Sequence, residues 1–220
     1  MLENRPLNAS DNSIAAKGKY YFCFGFNYYS YKDSTKELDP VAVFEYGAGD
    51  NFDFEISLPY IGLYSSPAIA QGLSDVTIGS SIILCKESDA LPAINLGLIA
   101  KLASADPNNG LGSGTTDYNM EWMLGKKIND VNYIINVGYI LSNGGVSLST
   151  GYFNAAFKRP VNDKFDVVGE FNYTTNKLYE ILGGFIYKYS DTLAFDFGLN
   201  TGFTENSPAY KITSGLSYNF

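Results

Sequence analysis

Carboxylates spaced two or four residues apart are the side chains of this sequence that could do chemistry as pairs. Asp53 lies two residues before Glu55, and Asp117 lies four residues before Glu121. In a β-strand both spacings place the two acids on one face, because successive side chains point to opposite faces. Such a pair could serve as acid and base in glycoside hydrolysis. Acids on one face also line any cavity that tolerates cations, and we favour that interpretation.

The chain contains no histidine, which limits the catalytic chemistry open to it. It lacks the commonest catalytic base near neutral pH and the commonest transition-metal ligand. A nucleophile activated by histidine is excluded, while a carboxylate-based or Ser/Lys-based mechanism stays open. The acids near Asp106 and Asp117 match no calcium-loop spacing, and no helix follows the glycine-rich run 110–114, as a phosphate-binding loop would require. We expect the glycine-rich run to be part of an outer loop. We expect the chain to bind no metal or cofactor and to catalyse no reaction.

The composition favours a folded, aromatic-rich β protein that does not bind nucleic acid. Aromatic residues make up 15% of the chain and charged residues only 17%, whereas a disordered chain has few aromatic residues and high charge. The net charge of -8 argues against phosphate binding, which needs clustered bases. Cys23 and Cys85 are too few for a disulfide framework, and we favour two free thiols over one bridge.

Apolar and polar residues alternate along most of the chain, most clearly in the C-terminal segment. From Tyr210 to Phe220, aromatic and aliphatic residues occupy every second position, and mainly small or polar residues fill the positions between. This is the period of a β-strand. Aromatic residues stand at both ends of the apolar face with aliphatic ones between them, as in the girdles of membrane barrels. About twelve such segments occur, near residues 18–32, 37–49, 51–62, 73–87, 92–104, 117–127, 131–142, 147–159, 164–175, 178–190, 192–203 and 208–220.

These segments predict an all-β fold, an antiparallel up-and-down transmembrane β-barrel of about 12 strands. No stretch reaches the roughly 18–20 apolar residues of a membrane helix, and a closed barrel is the other structure that satisfies every backbone group in lipid. Short Gly, Asn, Asp and Ser turns are predicted at the periplasmic end, at 49–51, 128–130, 160–163 and 190–192. Longer outer loops are predicted between them, chiefly at 64–72 and 105–116.

Residues 1–17 show no alternation and form a separate N-terminal segment, whereas residues 18–220 form the predicted barrel. The segment could plug the lumen, fold beneath it as a periplasmic tail or stay loose. It contains no apolar core of a secretory signal, because Glu3, Asn4 and Arg5 follow Met1 almost at once. The chain is then either cytosolic or a mature sequence, and the barrel pattern favours a mature protein of a bacterial outer membrane.

The alternate faces of the strands line the interior if the aromatic faces meet lipid. Unpaired charges in a dry core would cost several kcal/mol each, and a wet lumen avoids that cost. Acids outnumber bases on the inward phase, which predicts a weak cation preference. Inward residues such as Ile134 and Leu182 suit either packing in a narrow lumen or a track for apolar solutes. The predicted lumen-lining and binding residues are Glu55, Asp75, Lys101, Asp117, Glu121, Glu170, Glu180, Lys188, Asp196 and Lys211.

Three stretches carry a family resemblance. They are Arg5-Pro6-Leu7 ahead of a strand that opens Lys17-Gly18-Lys19, residues 73–79, and residues 101–106 together with 110–118. The last two resemble the patterns G-[LF]-x-D-[VL]-x-[LI]-G and K-[LF]-P-T-G-D … G-[LT]-G-[ST]-G-x-x-D-[YF] of the outer-membrane family described as "putative MetA-pathway of phenol degradation". Ser74, where the family has glycine, and Ser104-Ala105, where it more often has Thr-Gly, depart from these patterns.

The resemblance implies a transporter-like outer-membrane barrel associated with pathways for aromatic compounds. It carries over Asp75, Lys101, Asp106 and Asp117 as lumen or loop residues. We expect Asp75, Lys101 and Asp117 to form a charge network on adjacent inner faces that shapes the channel.

The expected function is passive passage or binding of small, partly hydrophobic or aromatic solutes. The alternatives are an outer-membrane enzyme, disfavoured by the missing histidine, and a structural or adhesive barrel, disfavoured by the short loops. The expected partners are the lipid bilayer, lipopolysaccharide, a small-molecule solute and the barrel-assembly machinery, which would act on the C-terminal strand ending in Phe220.

Overall fold

The computed structural model describes residues 5–64, 69–144 and 148–220, and these residues form one sheet of thirteen strands. A 3-10 turn (Pro107–Asn109) lies in the connection before β7. The strands are β1 (Tyr20–Ser30), β2 (Lys36–Gly47), β3 (Phe52–Tyr64), β4 (Ile69–Leu73), β5 (Thr77–Cys85), β6 (Ala93–Lys101), β7 (Asp117–Ile128), β8 (Val131–Ser142), β9 (Thr150–Asn162), β10 (Phe165–Thr174), β11 (Tyr179–Lys188), β12 (Leu193–Gly202) and β13 (Tyr210–Asn219).

The sheet closes on itself as an antiparallel barrel. Consecutive strands pair with one another, except β4 and β5, and β1 pairs with β13. The short strands β4 and β5 pair with successive parts of β3, so the thirteen strands occupy 12 positions around the barrel. The structure therefore confirms the predicted all-β, up-and-down barrel. The pairing of β1 with β13 closes the barrel, as a sheet in lipid requires, and among the described strands only β4 has a single neighbour.

The outer face of the barrel is apolar and ringed by aromatic side chains. Phe54 is 55% exposed, whereas its neighbour Asp53 points inward and is 4% exposed. At the short-turn end, the ring of Tyr20 lies 4.9 Å from that of Tyr46 and 5.6 Å from that of Phe220. These rings form the girdle that membrane barrels place at the interface. The predicted orientation, with rings outward and charges inward, is confirmed.

No helix among the described residues is long and apolar enough to cross a membrane.

The turn predicted at 160–163 is shorter, because β9 continues to Asn162. Two outer connections differ more strongly from the predicted ones. The outer connection predicted at 64–72 is shorter, because β3 continues to Tyr64 and pairs with β4 from Ile69 onward. The segment predicted as one strand at 73–87 is interrupted at residues 74–76, where Asp75 bonds to an outer loop instead of to a strand. Alternation alone did not reveal either feature.

Candidate functional site: the lumen and its inner belt

Residues 5–16, here called the belt, lie inside the barrel and follow its inner wall. Near the short-turn end, the Ala15 N–H donates to Oδ2 of Asp53 on β3 at 3.2 Å. Farther along, the side-chain amide of Asn95 on β6 donates to the Asn12 carbonyl at 3.1 Å. Successive belt residues then contact β7, β8, β9, β10, β12 and β13 in turn. The belt thus runs around most of the inner circumference, and its far end meets β13 beside β1.

Glu170 on β10 holds the middle of the belt. Its carboxylate accepts hydrogen bonds from the backbone N–H groups of Ala9 at 2.5 Å and Asn8 at 2.9 Å. The side-chain amides of Asn8 and Asn172 donate to the same carboxylate at 2.9 and 3.1 Å. Glu170 is only 6% exposed. Donors to a charged acceptor form strong hydrogen bonds, so this buried acid is satisfied by the belt rather than by solvent.

Arg5 anchors the far end of the belt to β12 and β13. Its Nε donates to Oδ2 of Asp196 at 3.3 Å, and its Nη2 donates to Oγ1 of Thr213 at 2.6 Å. The guanidinium lies against Gly25 and Gly215, where an added Cβ would stand 2.1 Å from Nη1 and 2.5 Å from Nε. Only glycine leaves room for so close an approach. The barrel wall is therefore shaped to receive this side chain.

Leu7 fills an apolar recess between these two polar anchors. It is buried together with Ala9 against inward residues of β8 to β12, which are Ile134, Ala156, Val168, Leu182, Ile186 and Ala194. Sequence reasoning left open whether inward residues such as Ile134 and Leu182 serve packing or an apolar track. In this structure they pack the belt.

Two acids tie down the outer connections. Asp117 pairs with Lys101 (Nζ to Oδ2, 2.6 Å) and accepts hydrogen bonds from the Ser142 hydroxyl at 2.8 Å and the Asn143 N–H at 3.2 Å. Asp75 accepts the backbone N–H groups of Ala105 at 3.0 Å and Ser113 at 2.8 Å. The structure thus brings Lys101 and Asp117 together. Among the described residues Asp75 forms no ion pair and instead fixes the loop 102–116.

Asp75 lies between the strands at the outer end, and its environment favours the charged carboxylate. Burial acts to raise the pKa of this carboxyl. Hydrogen bonds from Ser113 and Ala105, with the positive charge of Lys101, outweigh burial and hold the pKa below its usual value. The loop 102–116 is therefore bound to an ionised acid.

The other predicted site residues are distributed along the lumen. Lys188 pairs with Asp166 at 2.7 Å near the short-turn end, and the ammonium of Lys211 donates to Oδ1 of Asn8 at 2.8 Å. Oε2 of Glu180 accepts from the Asn200 amide at 3.0 Å. Glu121 shares hydrogen bonds with the side chains of Ser10 and Tyr152, and Glu55 faces a cavity.

Sequence reasoning missed the belt contacts of Asn95 and Asn136, which are both fully buried. Their signal is weak, because an asparagine on the inward phase of a strand is also expected in any wet lumen. The role of Arg5 was also missed, since its partners lie near the opposite end of the chain.

A cavity of about 630 Å³ opens at the short-turn end, beneath Arg5. It is bounded by belt residues 13–16, by β1, β2 and β3, and by the end of β13, with Glu45 and Glu55 on its wall. No group of three or more metal-ligating side chains occurs in the described parts of the chain. Cys23 and Cys85 are both free thiols. The arrangement is that of a lumen narrowed by the belt, with a cavity of mixed polar and apolar lining at the short-turn end.

Comparisons with known proteins agree with this architecture. A family model described as "Putative MetA-pathway of phenol degradation" matches residues 3–220. No curated protein sequence matches the chain.

Among solved structures, an outer membrane channel from Pseudomonas putida F1 has a TM-score of 0.73 at 10% identity, covering 99% of this chain and 100% of that one. The KdgM porin has a TM-score of 0.67 at 8% identity, covering 91% and 99%. The CymD monoaromatic hydrocarbon channel has a TM-score of 0.52 at 8% identity, covering 92% and 88%. At these identities, the likenesses show a shared fold.

Proposed function

The chain belongs to the family described as "Putative MetA-pathway of phenol degradation", and on that premise we propose that it is a bacterial outer-membrane channel for small, partly hydrophobic solutes. The observation that carries the proposal is the closed barrel with an apolar, aromatic-ringed outer face and a polar lumen narrowed by the belt. This arrangement suits slow, selective passage rather than bulk flow of water.

The solute class follows from what remains of the lumen. The belt fills the apolar recess on β8 to β12, and the remaining cavity is lined by charged groups together with apolar and aromatic residues, among them Ile14, Tyr21 and Val43. Such a lining fits compact molecules with both a polar group and an apolar body. The family description and the name of the CymD monoaromatic hydrocarbon channel support aromatic compounds as members of this class.

A catalytic role is disfavoured by the same residues. The chain has no histidine, and the buried acids Glu170 and Asp196 are bound to the belt by Asn8, Ala9 and Arg5. We therefore propose transport without catalysis. We also propose that lipopolysaccharide surrounds the outer end and that the barrel-assembly machinery inserts the chain through its C-terminal strand.

The proposal is tested with purified protein in lipid. We expect single-channel conductance in planar bilayers and uptake of labelled catechol into proteoliposomes above that of protein-free liposomes. Heat-unfolded protein in the same lipids is the control. Absence of both conductance and uptake from correctly folded protein would contradict the channel.

A further inference from the structure

The belt leaves one sector of the inner wall uncovered. Its two ends reach Gly47 of β2 and Gly25 of β1, where added Cβ atoms would clash with Ala16 and Arg5. At these ends the hydrogen bonds of Ala15 and Arg5 go to β3, β12 and β13, and the β2 face with Val43 and Glu45 lies between them. The cavity beneath Arg5 opens onto this face. The wall that the belt leaves uncovered beside this cavity therefore lies on β1, β2 and β3.

Two glutamates lie side by side on this wall. Glu45 on β2 is the direct cross-strand partner of Glu55 on β3, and both line the cavity. Cross-strand side chains on one face stand about 5 Å apart, where like charges repel. Among the described residues neither glutamate has a basic partner within 4.0 Å.

The charged neighbours of both glutamates are acids. Those that act on Glu45 are Glu55, Asp53 and Asp11, and those that act on Glu55 are Asp53 and Glu121. Bases on the inner faces, unlike these glutamates, have partners of opposite charge. Lys101 and Lys188 each pair with an aspartate, and Arg5 pairs with Asp196. Among the described residues, the acidic side chains of this wall thus have no basic partner.

Farther out on the same wall, two side-chain oxygens also lack a partner. Asn27 on β1 is the cross-strand partner of Asp39 on β2. Oδ1 of each residue is buried and accepts no hydrogen bond in the structure. Lys211 is the nearby base, and its ammonium is engaged by Asn8 and lies 5.4 Å from the centre of the Tyr29 ring. Oxygens without donors favour a passing solute that carries a cation or hydrogen-bond donors.

We propose that Glu45 and Glu55, continued outward by Asp39, are the residues that determine charge selectivity, and that they admit cations and amine-bearing aromatic solutes in preference to anions. This inference rests on the proposed channel function and deepens it. An uncompensated charge in a low-dielectric passage raises the local concentration of the opposite charge about tenfold or more. The pair acts on ions in transit, since the described residues form no cluster of three ligands that could retain a metal.

The test is the reversal potential in planar bilayers under a KCl gradient. We expect the wild-type chain to favour K⁺ over Cl⁻ by roughly tenfold, and Glu45→Gln/Glu55→Gln to bring the ratio close to one. Asp89→Asn/Glu205→Gln removes the same charge from exposed connections at the two ends and should keep the wild-type ratio. Glu45→Lys should turn the preference toward Cl⁻.

Uptake of solutes supplies a second readout. Benzylammonium should enter proteoliposomes several-fold faster than benzoate, and the double glutamine variant should lose that difference. A conducting wild-type channel that favours Cl⁻, or a cation preference that survives in Glu45→Gln/Glu55→Gln, would overturn the inference. Absence of any conductance would contradict the proposed function instead. Heat-modifiable gel mobility identifies folded barrels in every variant.

Discussion

The carboxylate of Glu170 accepts the backbone N–H of Ala9 at 2.5 Å, although the two residues are separated by 161 positions in the sequence. This contact fixes the N-terminal segment inside a barrel that is otherwise built from neighbouring hairpins. The width of the passage therefore depends on the belt as well as on the number of strands, and the first predictions concern the belt.

Glu170→Ala should release the middle of the belt. The N–H groups of Asn8 and Ala9 lose their acceptor, and unsatisfied buried donors cost roughly 1–3 kcal/mol. We expect larger or more frequent open events in bilayer recordings and faster proteolysis of the N-terminal segment. Glu170→Gln keeps an acceptor oxygen and should show a smaller effect. Recordings of Glu170→Ala that match the wild type would show that this contact does not hold the belt.

Gly25→Val should displace Arg5, because even a Cβ at this position would overlap Nη1. The change should raise conductance and weaken the bond to Asp196, since the guanidinium has no room beside β1. Gly183→Val is the matched control, because a Cβ there meets no atom within 4 Å. Equal conductance in the two variants would show that the space left by Gly25 does not position Arg5.

The loop 102–116 should loosen in acid. The pKa of Asp75 lies below its usual value in the folded chain, so its contribution to stability is complete above the unfolded pKa of about 3.9. That contribution is lost as the pH falls through the lower folded pKa. Hydrogen exchange of the loop, corrected for the intrinsic rate, should rise in this range. Asp75→Asn should show faster hydrogen exchange of the loop at neutral pH and little further change in acid. If this variant still showed the acid response of the wild type, the loosening would belong to another group.

The ion pair between Lys101 and Asp117 should contribute little by itself. The Lys101 side chain is 34% exposed, and ion pairs of this kind contribute about 0.2–1 kcal/mol. A double-mutant cycle with Lys101→Met and Asp117→Asn, followed by urea unfolding in vesicles, should give a coupling energy in this range. Asp117→Ala should cost more than Lys101→Met, because it also removes the acceptor of Ser142 and Asn143. A coupling energy of several kcal/mol would contradict this account.

The barrel could be predicted from the sequence because its determinants are local. Strand β13 shows the alternation within ten residues, and the hairpin turn at Asn129 and Asp130 joins neighbouring strands. The sequence also places Glu170 and Asp196 correctly on the inner face, since side chains alternate strictly along a strand.

For residues 1–17 the sequence left open a plug of the lumen, a periplasmic tail or a loose segment. The course of the belt could not be predicted, because its partners are distant in sequence and its residues have no repeating period. Arg5 reaches Thr213 across 208 positions. The break at residues 74–76 was missed for the same reason, since Asp75 bonds to Ser113 in another connection. Alternation reports on which face a side chain lies and carries no information on what fills the enclosed space.

The central claim is that the aromatic face meets lipid hydrocarbon, and Trp122 tests it most directly. It is the one tryptophan of the chain, lies near the middle of β7 and is 44% exposed on the outer face. In vesicles, brominated acyl chains should quench its fluorescence strongly, whereas aqueous iodide should have little effect. Strong quenching by iodide with none by brominated lipid would place this ring in water and contradict the account.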